Sequence, residues 1–90
     1  MNLESLPKEI DFSTFIFSLG STAFIHLGLA PNPVTQKIEK DFAQAKQNID
    51  LIHLLKEKTK GNLTNDEEKL IDNLLHTLKM KYVEEVNTKL

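Results

Sequence analysis

A chain of 90 residues accommodates one domain with a modest core, and 40% of its residues are apolar, which is too many for a disordered chain. Cysteine is absent, which excludes disulfides and thiolate metal sites and fits a reducing cytoplasm. The net charge is −2 and no arginine occurs, so we expect no nucleic-acid partner. The composition predicts a short N-terminal tail over residues 1–10 and a single helical domain over residues 11–90.

The first helix is predicted over about residues 12–29, with Asp11 or Ser13 as a suitable N-cap residue. No charged residue occurs between Asp11 and Lys37, and apolar side chains lie on more than one side of the helix. One neighbouring helix therefore cannot cover it. Pro31 and Pro33 end the helix, because each lacks an amide donor and favours an extended predecessor.

A second helix is predicted over about residues 35–60. One set of its apolar residues has the 4-3-4-3 spacing of a narrow buried seam: Ile38, Phe42, Ala45, Ile49 and Ile52. A second apolar row begins at residue 51 on the opposite side and consists of Leu51, Leu54 and Leu55. The second half of this helix therefore needs two partners.

The segment after residue 60 predicts a tight turn between two helices. Gly61, followed by Asn62, suits the left-handed C′ position of the second helix. Thr64 as N-cap and Glu67 at N3 form a capping box, which predicts a third helix over about residues 65–88. Two long helices joined by such a short turn are expected to pack as an antiparallel hairpin.

The predicted fold is thus an all-α, three-helix domain, with the apolar first helix packed across the hairpin. Three helices do not easily cover both the far side of the first helix and the second leucine row. We therefore expect a homodimer, a helical bundle in which a second copy buries the excess apolar surface. The candidate interface residues are Phe12, Phe15, Ile16, Phe17, Leu19, Ala23, Phe24, Leu27, Leu51, Leu54 and Leu55.

Several motifs are spread along the chain: Asp11-Phe12-Ser13-Thr14-Phe15, Leu27-Gly28-Leu29 with Pro31 and Pro33, Ile49-Asp50-Leu51, Lys58-Thr59-Lys60-Gly61-Asn62-Leu63-Thr64 with Glu67, and Tyr82-Val83-Glu84. Together they resemble a bacterial family known as domain of unknown function 1844. The resemblance covers about residues 11–84 and implies a small helical protein. It implies no activity, substrate or catalytic residue. Family members often carry a longer polar N-terminal extension than this chain has.

Two pairs of metal-ligating side chains have i, i+4 spacing: His53 with Glu57, and Asp72 with His76. In the expected hairpin the two pairs are offset by about 9 Å along the helices, so we expect surface ion pairs and no metal site. No nucleophile lies at a recognisable spacing from a base, and no glycine-rich phosphate loop occurs. We therefore expect neither a cofactor nor an enzyme activity.

The sequence favours a cytoplasmic protein-interaction module, acting on itself or on an unidentified protein, and leaves two alternatives open. The first is a membrane-associated protein, because the charge-free stretch is long enough, although its hydroxyl side chains and the lack of a Trp or Tyr belt favour a buried helix. The second is a small-ligand domain built around His26. This residue lies on the apolar side at the end of the first helix. There its imidazole either changes charge as part of a ligand site or hydrogen-bonds a chain carbonyl or water at the helix end.

Overall fold

The computed structural model describes residues 10–88, and within that range the chain forms three helices and no strand. The helices are α1 (Phe12–His26), α2 (Phe42–Lys58) and α3 (Asn65–Thr88), and each packs against the other two. The predicted all-α, three-helix class is confirmed. Apart from Ile10, the predicted N-terminal tail lies outside the described residues.

The core is built from three small groups of apolar side chains, one from each helix with its cap. Its buried residues are Ile16, Ala23, Leu27, Ala45, Ile49, Ile52, Ile71, Leu75 and Leu78. No polar or charged residue is buried within residues 10–88. Gly20 is also buried, and a Cβ at this position would lie 2.8 Å from the Leu74 side chain, so α1 approaches α3 closely here.

The first helix ends at His26, three residues earlier than predicted. Gly28 adopts a left-handed conformation with φ +81°, which ends the helical backbone. Its N–H donates to the carbonyl of Ile25 at 3.0 Å, and the Leu29 N–H donates to the carbonyl of Phe24 at 3.0 Å. This pair of bonds is a Schellman motif, which satisfies the last carbonyl groups of the helix.

The second helix begins at Phe42, so the prediction of helix over residues 35–41 is wrong. The carboxamide of Asn32 accepts a hydrogen bond from the Val34 N–H at 2.8 Å, and its backbone carbonyl accepts one from the Gln36 N–H at 2.7 Å. Gln36 has φ 60°, a left-handed conformation that a helix does not contain. These local bonds hold the segment as a loop.

Asp41 caps α2, because its carboxylate accepts a hydrogen bond from the Gln44 N–H at 3.1 Å. Its own N–H donates to the carbonyl of His26 at 2.8 Å, which joins the end of α1 to the start of α2. Ile38 precedes this cap and is 57% exposed, so its predicted place in the buried seam is also wrong.

At the base of the loop between α1 and α2, the Lys40 side chain packs over Gly28. A Cβ at Gly28 would lie 2.6 Å from Cγ of Lys40, so the methylene groups of that lysine lie directly against the glycine backbone. The Lys40 ammonium then reaches Glu85 of α3 at 3.6 Å. One lysine thereby connects the end of α1, the start of α2 and the last turns of α3.

The turn before α3 contains both hydrogen bonds of the predicted capping box. The Glu67 N–H donates to Oγ1 of Thr64 at 3.1 Å, and the Thr64 N–H donates to Oε1 of Glu67 at 2.8 Å. Gly61 has the predicted positive φ, +86°, but the C-cap is Thr59, so the glycine lies one residue beyond the C′ position. It occupies the third position of a β-turn closed by the Asn62 N–H and the Thr59 carbonyl at 2.9 Å.

No helix in the described part of the chain combines the length and hydrophobicity that crossing a bilayer requires. The most apolar helix, α1, has 15 residues. At 1.5 Å per residue it is about 22 Å long, shorter than the ~30 Å of a hydrocarbon core.

Candidate interaction face

The eleven candidate interface residues separate into three groups by burial. Ile16, Ala23 and Leu27 are fully buried inside this single chain, so they belong to the core and their assignment to an interface is wrong. Four others are partly buried against that core: Phe12, Leu19, Phe24 and Leu55. The remaining four are exposed: Phe15, Phe17, Leu51 and Leu54.

The two exposed phenylalanines lie on opposite flanks of α1. Each is one residue from the buried Ile16, so at about 100° per residue they point to either side of the buried stripe. Gly20 lies on the Phe17 side of that stripe and approaches Leu74 of α3. Phe17 is therefore on the flank towards α3, and Phe15 is on the flank towards α2.

The two exposed leucines lie on the side of α2 that faces away from α3. Phe42 stacks edge-on against Tyr82 with ring centroids 6.3 Å apart, so it marks the α3 side of α2. By helical periodicity Leu51 is about 100° from the buried Ile52, on the side away from Phe42, and Leu54 is about 160° from Ile52. Leu51 therefore lies on the α1 side of α2, and Leu54 lies at the outer edge of that side. We refer to Phe15, Phe17, Leu51 and Leu54 together as the α1 face.

Between the two phenylalanines, the outer surface of α1 carries small hydroxyl side chains and no charge. Ser18 Oγ donates to the carbonyl of Phe15 at 2.7 Å, and Thr22 Oγ1 donates to the carbonyl of Ser18 at 3.0 Å. When a neighbouring molecule covers this surface, these hydroxyl donors lose no hydrogen bond to water, because they already donate to carbonyls of α1. This surface therefore accepts a packed neighbour at low polar cost.

A second apolar region, not predicted from the sequence, lies along the outer side of α3 and reaches α2 at Ile49. Two adjoining cavities of about 310 and 410 Å³ share Lys79 and Val83. The apolar residues of this region, which we call the α3 groove, are Ile49, Met80, Tyr82 and Val83. Met80 and Val83 are both exposed, and their i, i+3 spacing on the outer side of α3 is the sequence signal that could have located them.

Charges surround the α3 groove. Lys46 donates to Asp50 at 2.8 Å, and this hydrogen bond raises the pKa of Lys46 above its ordinary value. Lys81 and Glu84 form another pair at 3.4 Å. Lys79 lies at the groove without an acidic partner in the described part of the chain. The α3 groove thus differs from the outer surface of α1 in the charge around it.

A third cavity, of about 380 Å³, lies beside the turn between α2 and α3. Lys56 crosses it to Asp72 at 2.6 Å, and this hydrogen bond raises the pKa of Lys56. Asp72 therefore pairs with α2 instead of with His76, contrary to the i, i+4 expectation. The other predicted pair, His53 with Glu57, is present at 3.9 Å.

The three histidines belong to no cluster of possible metal ligands in the described part of the chain. Among residues 10–88, no group of three or more His, Asp or Glu side chains is close enough to hold a metal ion. His26 is half-buried and ends α1, and its carbonyl accepts the Asp41 N–H. It lines none of the three cavities described above.

Comparison with known proteins gives one finding. Neither the search of curated proteins nor the search of solved structures finds a match. The model of the family described as "Domain of unknown function (DUF1844)" matches residues 9–84, which is most of the chain. The resemblance drawn from the motifs is confirmed, and the chain belongs to the DUF1844 family.

Proposed function

We propose that this protein is a cytoplasmic interaction module without catalytic activity, which forms a homodimer and acts as a small scaffold. The observation that carries the proposal is the α1 face, where four large apolar side chains are exposed around a helix without charge. Phe17 alone is 63% exposed. Several large apolar side chains exposed around one uncharged helix favour a binding site, whereas single exposed apolar residues are ordinary.

In the proposed architecture α2 and α3 form an antiparallel hairpin and α1 packs across it. Three contacts support this arrangement. Lys40 and Phe42 at the start of α2 contact late residues of α3, Glu85 and Tyr82 respectively. Near the end of α2, Lys56 contacts Asp72 in the first half of α3. The order of contacts is therefore reversed between the two helices.

The energetic reason for association is the exposed apolar area. Phe15 and Phe17 together expose as much as about one complete phenylalanine side chain, on the order of 200 Å². Each Å² removed from water contributes roughly 25 cal/mol before the entropy of association is subtracted. We therefore expect a weak dimer, whose formation depends on protein concentration.

The test compares Leu54→Glu with Met80→Glu, because these residues are 50% and 49% exposed and lie in different apolar regions. Sedimentation velocity of the whole chain from about 1 to 100 µM measures the monomer–dimer equilibrium. We expect a wild-type dimer, loss of that dimer in Leu54→Glu and retention in Met80→Glu. Helicity by circular dichroism verifies that both variants are folded.

A wild-type chain that stays monomeric at every concentration rejects self-association. A dimer that Met80→Glu abolishes and Leu54→Glu leaves intact rejects the α1 face as its interface. In either case an interaction role would have to be sought with a different protein or on a different surface.

A further inference from the structure

The α3 groove combines an apolar surface with a lysine that has no acidic partner in the described part of the chain. We infer that this groove binds a small amphiphilic carboxylate, that is, a ring or a short carbon chain that carries one carboxylate group. The apolar part of the ligand lies on Met80 and Val83, and its carboxylate pairs with Lys79. This inference goes beyond the proposed interaction role and does not depend on it, because it concerns a different surface and a small molecule.

The dimensions of the groove suit a small molecule. Its two adjoining cavities, of about 310 and 410 Å³, are lined almost entirely by apolar atoms and are within the range of ligand pockets, roughly 300–1,000 Å³. Along α3 the lining runs from Lys79 to Glu84, which at 1.5 Å per residue is about 8 Å. A docked helix needs apolar anchors at i, i+4 and i+7, over about 10 Å. The groove is therefore better matched to a ring or a short chain than to a helix.

The base of the groove is already formed in the folded chain. Ile49 belongs to the buried core, and the ring of Tyr82 packs edge-on against Phe42. Met80 and Val83 line the cavities as exposed side chains, and a ligand would remove their surface from water. An apolar surface that is formed before binding reduces the entropy cost of ordering side chains around a ligand.

Lys79 differs from the other lysines of α3 in its neighbours along the helix. Lys69 and Lys81 each have an acidic residue three or four positions away, where side chains on a helix can pair, and Lys79 has none. The residues at those positions from Lys79 are Leu75, His76, Tyr82 and Val83. The ammonium group of Lys79 therefore lies beside apolar and uncharged side chains of its own helix.

The acidic residues beside the groove already have lysine partners. Lys46 donates to Asp50 at 2.8 Å, and Lys81 donates to Glu84 at 3.4 Å. Three lysines thus share two carboxylates, and one positive charge remains unbalanced at an apolar surface.

The charge of the groove selects the charge of the ligand. A single carboxylate balances Lys79, whereas an ammonium group would be repelled. A phosphate dianion carries more charge than one free lysine balances. The chemistry that fits is therefore an apolar body with one negative charge.

The test uses octanoate as the probe and octylammonium as the control ligand, because the two have similar chains and opposite charges at neutral pH. Each is titrated into the whole ¹⁵N-labelled chain, and the amide chemical shifts locate the site and give the dissociation constant. The matched variants are Lys79→Gln and Lys69→Gln, since each removes one exposed lysine charge from α3. Circular dichroism verifies that both variants are folded.

We expect octanoate to shift the amides around Met80 and Val83, with a dissociation constant on the order of 1 mM. Octylammonium should bind at least about threefold more weakly. Lys79→Gln should weaken octanoate binding about three- to fivefold, as expected for an exposed ion pair, and Lys69→Gln should leave it unchanged.

Three results would overturn the inference. The first is the absence of octanoate-dependent shifts in the groove up to the concentration at which micelles form. The second is binding of octylammonium as tight as that of octanoate, which would mean that Lys79 does not select the ligand. The third is an equal effect of Lys69→Gln and Lys79→Gln, which would mean that octanoate responds only to the net charge of the chain. None of these results bears on the dimer, which Leu54→Glu tests on a different surface.

Discussion

The α1 face and the α3 groove expose similar apolar side chains, and they differ in what surrounds them. Phe17 and Met80 are both exposed, at 63% and 49%, yet the helix that carries Phe17 has no charge, whereas Met80 lies among Lys79, Lys81 and Glu84. Charged side chains around an apolar patch keep water near it and oppose a packed neighbour unless that neighbour carries complementary charges. The comparison teaches that exposure alone does not identify an interaction surface in a small helical protein.

The largest effect is expected beneath the α1 face, at Ile16. This side chain is fully buried, so Ile16→Ala removes packing between α1 and the other helices and should lower the free energy of unfolding by about 2–5 kcal/mol. Urea denaturation followed by circular dichroism measures the change. A loss below about 1 kcal/mol would mean that α1 is loosely packed and that its two sides are equivalent.

The next effect concerns the exposed side of the same helix. A double variant, Phe15→Ala with Phe17→Ala, removes two partly exposed rings and should lower the unfolding midpoint of the monomer by less than Ile16→Ala does. The wild-type midpoint should rise with protein concentration, because dimerisation stabilises only the folded state, and the variant should lose this dependence. Differential scanning calorimetry at several concentrations measures it. The matched control, Val83→Ala in the α3 groove, should retain the concentration dependence.

A smaller effect is expected at the turn, away from both apolar regions. Thr64→Ala removes the acceptor for the Glu67 N–H and should lower the free energy of unfolding by about 1 kcal/mol. The monomer–dimer equilibrium of the folded variant should match that of the wild type. A parallel loss of dimer would show that association follows overall stability and not the surface of the α1 face.

The smallest effect is expected at a charged pair outside the uncharged helix α1, Lys56 with Asp72. The pKa of Lys56 is raised by its hydrogen bond to Asp72, so the pair stabilises the fold below the ordinary lysine pKa and loses this contribution as the pH rises through the raised pKa. The stability difference between wild type and Asp72→Asn, measured by urea denaturation, should be small and positive at neutral pH and should vanish in strong alkali. A difference that grows with pH would contradict the assignment.

The parts of the fold that depend on local chemistry were predictable from the sequence. Thr64 and Glu67 complete a capping box by themselves, so α3 begins where expected. Asp41 and Gln44 have the same i, i+3 spacing as Thr64 and Glu67, and they also precede an apolar run. This capping signal would have placed the start of α2 at Phe42. It was outweighed by Ile38, whose spacing continues the apolar seam although it precedes the Asp41 N-cap, where the backbone is not helical.

The candidate site was predictable only in part, because periodicity shows which residues share a side of a helix and not which side the chain itself covers. Ile16, Ala23 and Leu27 have the same apolar character as Phe17, yet they are buried within the chain and Phe17 is exposed. The α3 groove was missed because lysines and glutamates surround Met80 in the sequence. Tertiary packing decides which of these apolar residues are buried and which are exposed, and no local hydrogen bond indicates that packing.

The lysine that closes the loop over Gly28 has a practical consequence for engineering this protein. The base of the loop disfavours added bulk, since Gly28 has a φ of +81° and a Cβ there would displace the Lys40 side chain that reaches Glu85. The tip differs, because Val34 is 88% exposed and is held only by its own turn. A reporter peptide or affinity tag inserted after Val34 would extend into solvent, leaving the three joined helix ends undisturbed.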